Sequence, residues 1–154
     1  MHNITVIADY GSIDKSVIED FECSRNIIFP IKYKELMSKH NGLSFIESWF
    51  DYFDRNKREE ASFSFLTFGN FIGASLISTL QDLDIDVSKW VVNFGAVGNG
   101  DYIGFDYREN PNTDNPSIVI IYHDDHVQDE NGDTKMCVIK VANTFDDFLN
   151  MLHE

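Results

Sequence analysis

Apolar residues recur at helical spacing near the start of the chain. Ile13, Val17 and Phe21 follow Ser12 at four-residue intervals, which is typical of the buried face of a short helix. The polar residues around them fall outside this stripe; they are Asp14, Lys15, Asp20 and Glu22. The pattern predicts a first helix with one side packed on a core.

A second helix is predicted to begin near Pro30, because proline in the first turn of a helix has no N–H group to lose. The pair Asn41 and Gly42 is predicted to end it, since glycine readily adopts the left-handed conformation found at helix C-termini. The residues repeating at helical spacing between them are Tyr33, Leu36, Met37 and His40. His40 suits the last turn, where a donor or cation meets free carbonyl groups.

The middle of the chain is dominated by strand patterns. Residues 49–54 and 62–68 are predicted strands around a charged loop at 55–60, and Leu76, Ile77, Leu80 and Leu83 indicate a third helix. Two further predicted strands flank a turn at 98–101. The remaining predicted segments are strands at 90–97, 102–107, 118–122 and 136–141, the last two separated by an acidic loop that contains Asn131 and Gly132. The continuously apolar run at 118–122 is typical of a central strand covered on both faces.

The clearest predicted element is the last helix. Thr144 is its expected N-cap and Asp147, three residues later, completes a pair resembling a capping box. Its apolar stripe consists of Phe145, Phe148, Leu149 and Leu152. With helices at both chain ends and strands between, the sequence predicts an α+β fold: a mostly antiparallel central sheet of about six strands with the terminal helices packed against it.

Composition agrees with one domain over residues 1–154. The chain has 43% hydrophobic residues and 13 phenylalanines, enough apolar area for a core without a metal or disulfide. Cys23 and Cys137 are far apart and form no CxxC pair, so they are expected to be buried thiols in a reducing cytoplasm. The first twelve residues lack a basic leader, and no stretch approaches the roughly 20 apolar residues of a membrane helix.

The net charge of the chain limits the classes of molecule that it is expected to bind. A formal net charge of −14 would repel nucleic-acid phosphates and anionic membranes, so neither is an expected partner. The same charge would speed encounter with a basic protein, because complementary potentials steer diffusion. Solubility alone is the other explanation of an acidic surface.

The glycines from Gly95 to Gly100 have the spacing of a phosphate-binding loop. However, Asp101 stands where such a loop needs a lysine, and a strand pattern follows where it needs a helix. The segment is therefore predicted to be a β-hairpin, and no nucleotide cofactor is expected.

The best candidate for a metal site in the sequence is the run from His123 to His126, which also contains Asp124 and Asp125. At a strand end its two histidines would point to opposite faces, so no metal is expected there. The acidic loop that follows lacks an oxygen ligand at Val127, so it is not a calcium loop. No serine or cysteine nucleophile has a recognisable setting, and the chain is interpreted as a binding protein without catalysis.

The order of these motifs resembles the SUKH superfamily, which includes fungal cell-wall-assembly regulators, Syd-like proteins and bacterial immunity proteins. The residues that carry the resemblance are Phe29-Pro30, Tyr33, Leu36, Asn41-Gly42, Gly100-Asp101, Ile103, Asp106, Pro116, Val119, His123, Thr144-Phe145 and Phe148-Leu149. Phe29 stands where leucine is usual and Thr144 where serine is usual, and both keep the physical role. The resemblance covers nearly the whole chain.

This resemblance implies an antidote that binds and blocks a bacterial toxin domain, frequently a nuclease. Nuclease sites are basic because they hold phosphates, so an acidic inhibitor fits the same electrostatic field. The candidate contacts are acidic residues near loops that we expect to be exposed: Asp82, Asp84, Asp86, Asp101, Asp106, Asp124 and Asp125. A regulatory scaffold of the Syd or cell-wall-regulator kind, and an unrecognised enzyme, are the alternatives.

Overall fold

The described part of the chain forms three helices and eight strands. The computed structural model describes residues 4–69, 71, 73–78, 81, 90–128 and 134–154, and for 123–128 and 134–136 it describes the backbone alone. The elements are β1 (Val6–Ala8), α1 (Lys15–Arg25), α2 (Ile31–Lys39), β2 (Ser44–Phe45), β3 (Trp49–Asp54), β4 (Lys57–Phe65), β5 (Val91–Val97), β6 (Tyr102–Asp106), β7 (Ser117–Gln128), β8 (Thr134–Ala142) and α3 (Phe145–Met151).

A single antiparallel sheet organises the described part of the chain. Strands β3 to β8 lie in it in sequence order, so each strand pairs with its successor, and β1 and β2 form a separate two-stranded sheet. The large sheet curls until its edge strands approach each other, and the Tyr122 hydroxyl of β7 donates to the Tyr52 hydroxyl of β3 at 3.0 Å. The predicted α+β class with an antiparallel sheet of six strands is confirmed.

The β3–β4 hairpin corrects the predicted charged loop at 55–60. Arg55 and Asn56 alone form the turn, with φ of 52° and 68°, and residues from Lys57 onward already belong to β4. Two successive residues with positive φ match the right-handed twist of a tight hairpin. The charged residues of β4 are tolerated because Lys57, Arg58 and Glu60 are exposed and Glu59 is only half-buried.

Helix α1 is buried along a different stripe from the predicted one. Asp14 caps the helix by accepting from the backbone N–H of Ser16, while Ile18 is fully buried and Val17 is exposed. Cys23, expected to be buried, is exposed, whereas Glu22, expected outside the stripe, is buried. Its carboxylate accepts a 2.6 Å hydrogen bond from the Phe29 N–H, a partner that the helical pattern of α1 does not reveal.

The other helices follow the sequence more closely. Pro30 precedes α2, Tyr33 and Met37 are buried, and the chain turns at Gly42 with φ of 63°. The Thr144 hydroxyl accepts from the Asp147 N–H at 3.0 Å, so the predicted cap of α3 is confirmed. In the third predicted helix, Leu76 instead forms a parallel bridge with Thr67. Ile77 is buried, and Leu80 and Leu83 lie outside the described residues.

The glycine cluster is a hairpin, as predicted, and its first glycine has a packing role. Gly100, with φ of 93°, lies in the turn between β5 and β6. Gly95 lies within β5, where an added Cβ atom would come 2.7 Å from Ile103 Cγ2 and 2.8 Å from Phe63 Cδ2. Two core side chains therefore leave no room for a Cβ atom at Gly95. This packing explains the glycine without a phosphate-binding role.

Aromatic rings fill the core on the inner side of the curled sheet. Tyr33 is at its centre, with ring centroids 4.9 Å from Phe29, 5.0 Å from Phe105 and 5.8 Å from Phe94. A smaller cluster of Val91, Val119 and Ile121 lies on the other side of the sheet. Strand β7 is therefore covered on both faces, as its apolar run predicts.

We expect Tyr33→Phe to leave the free energy of unfolding unchanged or to raise it by up to about 1 kcal/mol, because an unpartnered buried hydroxyl is costly. Among the described residues the fully buried Tyr33 hydroxyl has no hydrogen-bond partner. Tyr107→Phe is the matched comparison, since the Tyr107 hydroxyl donates to the Ile28 carbonyl at 2.6 Å. The Tyr107→Phe substitution should lower the free energy of unfolding by about 1–2 kcal/mol. Urea unfolding measures both, and equal losses in the two variants would contradict the assignment.

Candidate functional site

The predicted acidic contacts divide into four groups: three residues outside the described part of the chain, two in β7, the buried Asp101, and Asp106, which is paired with an arginine. Asp82, Asp84 and Asp86 lie outside the described residues. Asp124 and Asp125 lie in β7, which continues through Gln128, so the loop expected at 123–128 is strand.

The position of His123 and His126 within β7 affects the argument that they cannot share a metal ion. The β7–β8 register shifts between Tyr122 and His126, so the regular alternation that would place His123 and His126 on opposite faces is interrupted. The argument from alternation therefore does not apply to this stretch. The absence of a metal at these histidines stays a prediction.

Asp101 is buried, so the expectation that it is exposed is wrong. It is 3% exposed, and it lies directly before β6 at the end of the hairpin turn. Its carbonyl accepts from the Val97 N–H at 2.9 Å, and its own N–H donates to the Asn99 side chain at 3.2 Å. This backbone pairing holds Asp101 against the sheet, while Gly98 and Asn99 form the exposed tip.

Asp106 is largely neutralised by a neighbour. Two nitrogens of the Arg108 guanidinium donate to its carboxylate at 2.9 Å each. Burial would raise the pKa of Asp106, but the hydrogen bonds from Arg108 outweigh it and hold this pKa below its usual value. Asp106 also lines a groove of about 440 Å³ together with Lys140, so it does not offer an isolated negative charge.

An exposed surface that sequence reasoning missed lies on the outer side of the β3–β4 hairpin. Trp49, Asp51 and Phe53 alternate along β3 with buried Phe50 and Tyr52, and Phe53 is 66% exposed. The residues directly opposite them on β4 are Ser62, Glu60 and Arg58. We call this surface the hairpin face; it consists of Trp49, Asp51, Phe53, Arg58 and Glu60. Exposed aromatic residues beside charges are typical of protein-binding surfaces, and the alternation in residues 49–53 was the available signal.

His153 joins the hairpin face from the far end of the chain. Its backbone pairs with Trp49 in both directions, at 2.9 Å and 3.0 Å. Its Nε2 atom lies 3.3 Å from Asp51 Oδ1 and 3.8 Å from Glu60 Oε2. The Glu154 carbonyl and then Asp51 raise the pKa of His153, whereas Arg58 above all lowers that of Asp51. The two nearby carboxylates thus favour positive charge at the Nε2 atom of His153.

The fold and these surfaces define a small α+β protein whose exposed features suit contact with another macromolecule. Residues 12–151 match the model of the SMI1 / KNR4 family (SUKH-1). The chain belongs to this family. No curated protein and no solved structure gives a significant match to it. Among the described helices, none has the length and apolar character needed to cross a bilayer.

Proposed function

We propose that this chain is a cytoplasmic immunity protein that binds and blocks a basic, nuclease-like toxin domain without catalysing a reaction. The observation that carries the proposal is membership of the SUKH-1 family in a chain with a net charge of −14. The family resemblance suggests a protein partner. The charge suggests that this partner is basic, because an inhibitor of opposite charge is steered toward it.

The proposed contact combines acidic steering with aromatic anchoring. The Tyr122 hydroxyl oxygen lies 3.1 Å from Asp54 Oδ2, so the end of β3 lies close to the residue of β7 that is two positions before Asp124. The proposed steering residues are Asp82, Asp84, Asp86, Asp124 and Asp125. Trp49 and Phe53 on the hairpin face are the proposed anchors, since a few central aromatic residues carry most of the energy of protein interfaces.

Replacing Asp82, Asp84, Asp124 and Asp125 with lysine is expected to slow association with the toxin domain encoded beside this chain about tenfold or more. The parent should associate faster than the roughly 10⁵ to 10⁶ M⁻¹s⁻¹ of an unsteered pair, and its rate should fall steeply as salt rises. In the variant both the rate and its salt dependence should decrease. Stopped-flow binding at several salt concentrations measures these rates, and survival of cells that express the toxin measures protection.

The matched control replaces four exposed acids elsewhere with lysine: Glu19, Asp20, Glu35 and Asp114. Both variants move the formal net charge from −14 to −6, since each substitution adds two units, so only the place of the charges differs. The control should lose less of the association rate. Phe53→Ala should leave that rate unchanged and speed dissociation. A parent rate indifferent to salt, or a lysine variant that protects cells fully, contradicts the proposal.

The gene neighbourhood separates this function from the regulatory alternative. An adjacent gene for a large secreted toxin is expected for an immunity protein. A regulatory scaffold of the Syd or cell-wall-regulator kind has no such requirement.

A further inference from the structure

The hairpin face and the end of the chain bring together three potential metal ligands. Asp51 and Glu60 are directly opposite each other in the β3–β4 register, and His153 pairs beside them through Trp49. One ligand atom from each residue lies within 4.8 Å of the other two. Like charges directly opposite each other in a sheet repel, and positive charge from Arg58, and from His153 or a bound cation, offsets this repulsion.

We propose that Asp51, Glu60 and His153 form a binding site for a divalent transition-metal ion, with zinc the best fit. Tetrahedral zinc ligands at 2.0–2.2 Å from the ion are about 3.3–3.6 Å apart. The distances from His153 Nε2 are 3.3 Å to Asp51 Oδ1 and 3.8 Å to Glu60 Oε2. The ligand atoms of the three residues lie within 4.8 Å of one another, and the exposed Glu60 side chain would move to complete the set. Imidazole with carboxylates is a donor set that zinc accepts, and solvent supplies the fourth ligand.

The second polar atom of two of these residues is already held by a neighbour. Arg58 Nη2 donates to Asp51 Oδ2 at 2.6 Å, which turns Oδ1 toward His153. The Nδ1 atom of His153 lies 2.9 Å from the Glu154 carbonyl, and an N–H donated there leaves the lone pair on Nε2. Hydrogen bonds that fix the carboxylate and the histidine tautomer in this way are typical of metal ligands.

The proposed ion would connect the segment after α3 to the edge of the sheet. This site does not depend on the proposed immunity function, because its ligands all belong to this chain. Zinc binding should raise the melting temperature of the protein, since an ion that binds the folded state alone stabilises it.

The test is isothermal titration of the full chain with zinc chloride at pH 7.5, together with thermal unfolding. We expect one ion per chain in the parent, and affinity reduced more than about tenfold in His153→Ala and Glu60→Gln. His40→Ala is the matched control: His40 Nδ1 lies 2.8 Å from Asp9 Oδ2, and the pair belongs to no three-ligand cluster among the described residues. This variant should bind zinc as the parent does.

Other outcomes overturn the proposal. No zinc binding by the parent at 100-fold molar excess would exclude the site. Zinc affinity unchanged in His153→Ala, but lost when His123 and His126 are both replaced by alanine, would assign the ion to β7 instead. A melting temperature that rises with zinc equally in the parent and in His153→Ala would also contradict it.

Discussion

Phe148→Ala is expected to lower the free energy of unfolding by about 3–5 kcal/mol. Phe148 is fully buried, and its ring centroid lies 5.4 Å from that of Phe63 and 5.5 Å from that of Phe50. It thus joins α3 to both β3 and β4. Truncation removes this apolar area and leaves a cavity that the surrounding rings fill only in part.

The control for this prediction is the same substitution at an exposed ring. Phe53→Ala, on the hairpin face, should change the free energy of unfolding by about 0.5 kcal/mol or less. Equilibrium urea denaturation followed by tryptophan fluorescence and circular dichroism measures both variants. A loss below about 1 kcal/mol in Phe148→Ala would mean that α3 is peripheral to the core.

Asn41→Asp is expected to cost about 3 kcal/mol or more at pH 7, although the two side chains have nearly the same shape. Asn41 is fully buried. Its Nδ2 donates to the Phe68 carbonyl and its Oδ1 accepts from the Phe68 N–H, each at 2.9 Å. Aspartate has no N–H to donate, so a charged oxygen would face the Phe68 carbonyl inside the protein.

The pH dependence distinguishes this cause from a simple packing defect. Protonation at lower pH gives the new carboxyl an O–H donor and removes its charge, so the stability loss of Asn41→Asp should shrink between pH 7 and pH 5. Asn41→Ala lacks both bonds and should show the same loss relative to the parent at both pH values. Asn115→Asp, at an exposed position, should change stability by about 0.5 kcal/mol or less. A loss in Asn41→Asp that does not depend on pH would refute the role of the donor.

Elements specified by neighbouring residues were predicted well. The cap and stripe of α3 lie within nine residues, from Thr144 to Leu152, and each contact of the cap is between residues on the same turn. The β5–β6 hairpin depends on the turn residues between Val97 and Tyr102, and it forms where glycine and asparagine predict it. The apolar run of β7 predicted burial on both faces for the same local reason.

The candidate site was predicted less well, because its geometry depends on pairing between distant segments. Asp101 carries the same charge as exposed aspartates, and only its position against β5 makes it buried. Arg108 similarly neutralises Asp106 through a turn that no spacing rule identifies. The alternation in β3 was enough to predict one strand of the hairpin face. The second strand was missed because residues 57–60 were predicted to be part of a charged loop.

By itself the sequence determined the α+β class, the mostly antiparallel sheet and the family, since these follow from periodicity, turn chemistry and the order of motifs. The tertiary structure alone decided which polar residues are buried and which distant residues lie beside the acidic side chains. Asn41 contacts Phe68 across 27 positions, and His153 contacts Asp51 across 102. Such contacts depend on strand register and on the curl of the sheet, which are collective results of packing and are not encoded in any short stretch of residues.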